Sequence, residues 1–219
     1  MSEHDTDGGG IESAGSARDR LLNFGSATLG ECGALILDPA IRHMWRGAAF
    51  SGPAFTVRCA PGDNLAIHAA VARAPRGCVL AVSVTDQTVR GYWGEVLTIA
   101  AMTAGIAAFL IDGHVRDIAA IESHRFPVFA RGTALRGASK RGPGEIGAAA
   151  VVGGVLVRTG DWLVGDADGV VCVPAARLGE CQAAAARRAE AERGYLQRIR
   201  AGETTAQLLA LDLGSIAGT

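Results

Sequence analysis

The stretch GYWGEVLTIAAMTAGIAAFLIDGHVRD, Gly91 to Asp117, decides the fold. Gly94 to Ala104 (GEVLTIAAMTA) reads as a helix closed by Gly105. Ala107 to Ile111 (AAFLI) is short and wholly apolar, so it reads as a strand buried on both faces. Asp112-Gly113 turns the chain, and Asp117 opens a short helix, DIAAIES. Helix, buried strand, turn and helix together form an α/β unit.

The same alternation extends upstream. Ala17 to Leu37 is helical but interrupted by Gly25, Gly30 and Gly33, which predicts two short helices. Ala54 to Cys59 (AFTVRC) is a strand. Asp63 or Asn64 caps a helix that ends before Pro75, and Cys78 to Val84 (CVLAVSV) is a buried strand. Downstream the chain turns to strand: Pro127 to Ala130, Ala148 to Val157, Asp161 to Gly165 and Gly169 to Val173, with Asp166-Ala167-Asp168-Gly169 as a hairpin turn. Arg131 to Gly147 reads as a loop dense in Gly and Arg, and Ala175 to about Ile199 as a long charged helix. The expectation is one α/β domain over residues 17–200, with a disordered polar tail at 1–16 and a C-terminal extension at 201–219. The extension's stripe of Leu208, Leu209 and Leu211 would dock on a neighbouring subunit.

Composition narrows the function. Of 219 residues, 49% are apolar but only 5% aromatic, so the core is built from aliphatic side chains. A formal charge of −1 offers nothing to attract nucleic acid non-specifically. The five cysteines form no CxxC pair, which argues against a zinc site, and four of them sit in apolar or small surroundings as buried thiols. The start lacks an apolar signal segment and no run is long enough to span a membrane, so the expected location is the cytoplasm.

Two corners of the opening stretch suggest chemistry. At Gly94 a strand-to-helix turn leaves the backbone N–H groups of Val96 and Leu97 pointing out of a helix N-terminus, where carboxylates and phosphates bind. At the C-terminal edge of the AAFLI strand stand Asp112, His114, Arg116 and Asp117. That edge is where α/β sheets bind ligands. A guanidinium clamps a carboxylate, and a neighbouring carboxylate holds Mg²⁺ or Mn²⁺ among waters, so the pair would grip a 2-oxo acid. The alternative is a surface Arg–Asp pair with Asp117 as a helix cap.

The chain resembles the 4-hydroxy-4-methyl-2-oxoglutarate aldolase (RraA-like) family, which also holds oxaloacetate decarboxylases and regulators of ribonuclease E. Its markers run in order from about Phe24 to Pro174: GPAFTV (Gly52 to Val57), GDNLAIH (Gly62 to His68), WGEVL (Trp93 to Leu97), IDGHVRD (Ile111 to Asp117) and GDWLVGDADGVVCVP (Gly160 to Pro174). Glu95, twenty residues and then Arg116-Asp117 follows the pattern of the family's aldolases, although those better known carry Asp at the first position.

The resemblance implies an αββα sandwich with a mixed, barrel-like β core, assembled as a homotrimer or homohexamer. It implies a lyase that cleaves a C–C bond of a 2-oxo acid with Mg²⁺ or Mn²⁺. Arg116 would bind the pyruvoyl carbonyl and the enolate, Asp117 the metal, and the Val96 and Leu97 amides at Gly94 the carboxylate. Glu95 would be catalytic, as would Glu31 through a neighbouring subunit's site. The complete acidic-plus-Arg-Asp set favours an enzyme over a ribonuclease regulator. No Gly-rich cofactor loop supports a methyltransferase.

Other residues read more simply. His68 is expected to pack on its helix, and His114 to face solvent. Asn64 serves either a ligand or a cap. Arg131 to Glu145 is either a solvated loop or an anion site, and Asp166 and Asp168 serve their turn. Lys140, the only lysine, is placed in that loop and away from the site, which argues against a Schiff base.

Overall fold

The computed structural model describes residues 14–84 and 89–216. Helix α1, Ala14–Glu31, breaks at Gly25 (φ 79°, ψ 159°), so the glycine divides it as expected. It ends before Gly33 (φ 94°), and Leu35–Ile36 (β1) pairs with a strand, correcting the helix expected as far as Leu37. The tail expected at 1–16 falls outside the described residues over 1–13, and α1 already runs at Ala14.

After the short β2 (Arg42–His43) comes β3, Phe50–Cys59, the longest strand. Helix α2 (Leu65–Arg73) stops where Ala74 turns extended before Pro75, as a residue before proline must. Strand β4 (Val79–Val84) precedes α3 (Glu95–Ala104), which Gly105 closes in the left-handed region. Next are β5 (Ala108–Ile111), β6 (His114–Val115), α4 (Ile118–Ser123) and β7 (Val128–Ala130).

The loop expected over Arg131 to Gly147 carries two short strands, β8 (Gly132–Thr133) and β9 (Gly144–Ile146). β12 occupies one edge of β3 over residues 50–53, and β9 adds to β3 over residues 57–59, with Glu145 paired to Arg58 at 2.8 Å. The single strand expected over Ala148 to Val157 is a hairpin, β10 (Ala150–Val152) and β11 (Val155–Val157). Gly153 and Gly154, both at positive φ, make its turn. β12 (Trp162–Gly165) and β13 (Val170–Val173) form the expected antiparallel hairpin. A 3-10 turn leads into the long α5 (Leu178–Arg200), and α6 (Thr205–Leu208) follows.

The main sheet has nine strands in the order β1-β13-β12-β3-β4-β5-β7-β2, with β9 added to β3. β3, β4, β5 and β7 run parallel at its centre, and the flanking pairs are antiparallel. This is the expected single α/β domain with a mixed β core. Alternation along each strand sorts the core. Leu80 and Val82 face α2 and α3, whereas Val79 and Ala81 face the β10–β11 hairpin together with Phe50, Leu163 and Cys172. Trp162, Val164, Val171 and Val173 pack under α1 and α5.

Two carboxylates lock corners of this frame. Asp166 accepts the Ser26 amide and hydroxyl at 2.6 Å each, holding the α1 break against the β12–β13 turn, so it serves more than its own turn. Asp112 binds Arg131 and the Gly153 amide, tying β5 to the β10–β11 turn. Cys59, Cys78, Cys172 and Cys181 are buried thiols, as expected. Burial pushes Cys59 and Cys172 up to about 12 and Cys78 up to about 11, which keeps them protonated and unreactive. Among the described residues no helix is long and apolar enough to cross a membrane.

Candidate active site

Residues 91–93 run alongside 114–116, and this places the two corners of the opening stretch together. The Tyr92 amide donates to the His114 carbonyl at 2.9 Å, and the Arg116 amide to the Trp93 carbonyl at 2.9 Å. Trp93 is buried flat on Phe109, with centroids 3.8 Å apart, and its indole N–H donates to Thr98 Oγ1 at 2.8 Å. These contacts hold the turn at Gly94, from which α3 leaves with the Val96 and Leu97 amides in its first turn.

Arg116 and Asp117 lie on a shelf of glycines. A Cβ on Gly94 would stand 2.3 Å from Asp117 Oδ2, one on Gly91 would stand 3.2 Å from Arg116 Cβ, and one on Gly137 would stand 3.2 Å from Arg116 Nη1. Asp117 adopts φ 59°, ψ 40°, a left-handed conformation that Asp tolerates better than most residues. It occupies the N-cap position of α4, but its carboxylate makes no capping bond there. Oδ2 instead accepts the Glu95 amide at 3.1 Å and lies 3.7 Å from Arg116 Nε. Among the described residues, Oδ1 bonds no group.

A cavity of about 240 Å³ opens over this corner. Gly94, Val96, Leu97, Arg116 and Asp117 all line it, so the structure brings these five expected residues together. The carboxylate of Glu95 is not in the lining. It turns to His124 Nε2 at 3.3 Å, a partner on the far end of α4 that the sequence reading missed. Glu31 is exposed and paired with Arg188 of α5, away from the cavity. His114 also stands outside the lining.

Asn64, His68 and Lys140 are also among the residues that line the cavity. Lys140, expected away from the site, is in the lining, and His68 reaches it from α2. Lys140 is delivered by Asp63, which is buried at the start of α2. Its carboxylate accepts the Ser139 hydroxyl at 2.7 Å and the amides of Leu65, Arg141 and Gly142 at 2.8, 2.5 and 2.9 Å. Burial alone would raise the Asp63 pKa. The Ser139 hydroxyl and the amides of Arg141, Leu65 and Gly142 reverse this and hold it well below the usual carboxylate range. Lys140 itself is solvent-exposed and adds positive charge at the rim. Asn64 occupies the N-cap position of α2 without a side-chain capping bond; its Nδ2 donates to the Tyr92 carbonyl at 2.8 Å, and the residue lines the cavity.

The sequence profile of the RraA-like family, described as Aldolase/RraA, matches residues 26–172. The chain belongs to the RraA-like family. A Halalkalibacterium halodurans protein bearing the name "Putative 4-hydroxy-4-methyl-2-oxoglutarate aldolase" is 43% identical over 123 residues, which is 56% of this chain and 59% of that protein. The chain thus spans less than two thirds of that relative's length. "Uncharacterized protein MJ0644" of Methanocaldococcus jannaschii is 30% identical over 199 residues, 90% of this chain and 96% of that one. Among solved structures, Streptomyces coelicolor RraAS2 superposes with a TM-score of 0.73 at 25% identity, covering 89% of this chain and 98% of its own. It is titled an unusual member of the RNase ES inhibitor RraA protein family. The chain is thus similar both to a protein named a putative aldolase and to one titled a member of a ribonuclease inhibitor family.

Proposed function

We propose that this RraA-like protein is a divalent-metal-dependent lyase that cleaves a C–C bond of a 2-oxo acid and releases pyruvate. One observation carries the reading: Arg116 and Asp117 line one small cavity together with Val96 and Leu97 of the first turn of α3. A cavity of this size and lining suits a small anion, which favours a lyase over a ribonuclease regulator.

The residues divide the work. The Val96 and Leu97 amides bind the substrate carboxylate at the positive end of α3. The Arg116 guanidinium faces the 2-oxo group and stabilises negative charge as it develops on that oxygen. Asp117 would hold Mg²⁺ or Mn²⁺. Among the described residues no three carboxylate, His or Cys groups cluster, and a lone carboxylate oxygen fits an ion that keeps most of its waters. When bound, such an ion acts as a Lewis acid on the 2-oxo group. Glu95, tethered to His124 at the rim, is proposed to act on protons there once it turns inward. Glu31 is proposed to serve a neighbouring subunit's site in a homotrimer or homohexamer. Leu209, Leu211 and Leu213, each about half exposed, would be covered in that assembly.

The test is pyruvate release from oxaloacetate by the purified protein, with Mg²⁺ and after EDTA. Magnesium-dependent release above the spontaneous rate supports the reading, and no release above that rate with Mg²⁺ or with Mn²⁺ in its place contradicts it.

A further inference from the structure

Helix α4 holds Glu95 at two points. Asp117, at the N-cap position of α4, accepts the Glu95 amide on Oδ2 at 3.1 Å. His124, at the C-cap position, meets the Glu95 carboxylate, with Nε2 3.3 Å from Oε1. An ionised carboxylate only accepts hydrogen bonds, so Nε2 is the donor. Between the two partners Ile121 is fully buried in the core, which fixes the helix that carries both.

The two contacts have different consequences. The backbone bond pins residue 95 at the mouth of the cavity, where its neighbours Gly94 and Val96 both stand in the lining. The side-chain contact decides where the charge goes. The Glu95 side chain is about half exposed, so its direction is set by His124 rather than by packing. Turned inward, its carboxylate would join that of Asp117 and compete with an anionic ligand for Arg116. Turned to His124, it stays out of the lining. An exposed pair of this kind adds little to stability, so it can open during turnover and its removal leaves the fold standing.

We propose that His124 is a positioning residue: it tethers the Glu95 carboxylate outside the cavity and so keeps Arg116 and the α3 terminus open to an anionic substrate. The tether opens when Glu95 turns inward to act on protons. His124 makes no bond to the substrate and acts through Glu95 alone. The inference rests on the reading above in that the cavity takes a small anion.

The experiment measures oxalate affinity by calorimetry, and KM and kcat for oxaloacetate, all with Mg²⁺ present. It uses the purified wild type, His124→Ala, His124→Gln, Glu95→Gln and the double variant of Glu95→Gln with His124→Ala. His124→Ala should weaken oxalate binding and raise KM by at least about fivefold, the scale of one like charge brought close to a bound anion. Its kcat should not fall. His124→Gln keeps a side-chain N–H donor and should retain most of the wild-type affinity. The loss caused by His124→Ala should vanish beside Glu95→Gln, because no charge is left to swing inward. Unchanged oxalate affinity in His124→Ala, an equal loss in His124→Gln, or a loss that persists beside Glu95→Gln overturns the inference. Oxalate that fails to bind the wild type removes the anion site, and the inference with it. Absence of pyruvate while oxalate still binds overturns the lyase reading alone, and the affinities then decide the role of His124.

Discussion

Asp117 Oδ2 accepts the backbone amide of Glu95 at 3.1 Å, so a carboxylate from the start of α4 closes the first N–H of α3. The two residues are distant in sequence, yet this bond fixes the distance between Arg116 and the helix terminus. It also leaves the next two amides, Val96 and Leu97, for a ligand.

That contact exists because Gly94 has no side chain. A Cβ there would meet Asp117 Oδ2 at 2.3 Å and Arg116 Cγ at 3.2 Å. Gly94→Ala should therefore push Asp117 off the α3 terminus and lower kcat/KM for pyruvate release at least tenfold. The unfolding midpoint should change little, because both displaced side chains are near half exposed. Wild-type activity in this variant would show that the glycine shelf is irrelevant.

Asp63 is the hub that holds the Lys140 loop. Its pKa is depressed on folding, so its stabilisation is complete above the ordinary carboxylate pKa of about 3.9 and is lost as pH falls through the lower folded value. Asp63→Asn should cost about 2–3 kcal/mol at pH 7, the scale of losing hydrogen bonds to a charged acceptor. The difference between wild type and variant in urea unfolding should shrink as pH drops below about 4. A difference that stays constant from pH 7 to pH 2.5 would remove Asp63 from this role.

Much of this was legible in the sequence, for physical reasons. AAFLI and CVLAVSV are buried on both faces, so they read as strands without knowledge of their partners. Arg116 and Asp117 are adjacent at the edge of one of those strands, which made the pair visible. β9 was hidden because GEI becomes a strand only by adding to the edge of β3. The β10–β11 hairpin was hidden inside one apolar run, since only the conformation of Gly153-Gly154 reveals the turn. Lys140 and His124 reach the site through Asp63 and α4, which local pattern does not encode. Asn64 and His68 were each visible in the sequence, and their spacing, one helical turn apart on one face of α2, is the signal that joins them.

The metal reading makes a separate claim. EDTA should abolish pyruvate release, and Mg²⁺ or Mn²⁺ should restore it. Asp117→Asn should raise the metal concentration needed for half-activity by at least tenfold, with the far-ultraviolet circular dichroism unchanged. Full activity in EDTA would rule out a dissociable metal at Asp117.

The central claim is that Arg116 stabilises the enolate more than the bound keto acid, because only such differential binding raises the rate of the chemical step. Its most direct measurement is kcat on oxaloacetate together with inhibition by oxalate, which mimics the enolate in shape and charge. Arg116→Lys keeps the charge but loses the two-pronged geometry, so kcat should fall. Arg116→Ala should lower it further, by about 100- to 1000-fold, the range for deleting a preorganised donor at developing charge. Oxalate should inhibit the wild type and lose potency in both variants. If Arg116→Ala instead keeps wild-type kcat and wild-type sensitivity to oxalate, Arg116 is structural and the site lies elsewhere.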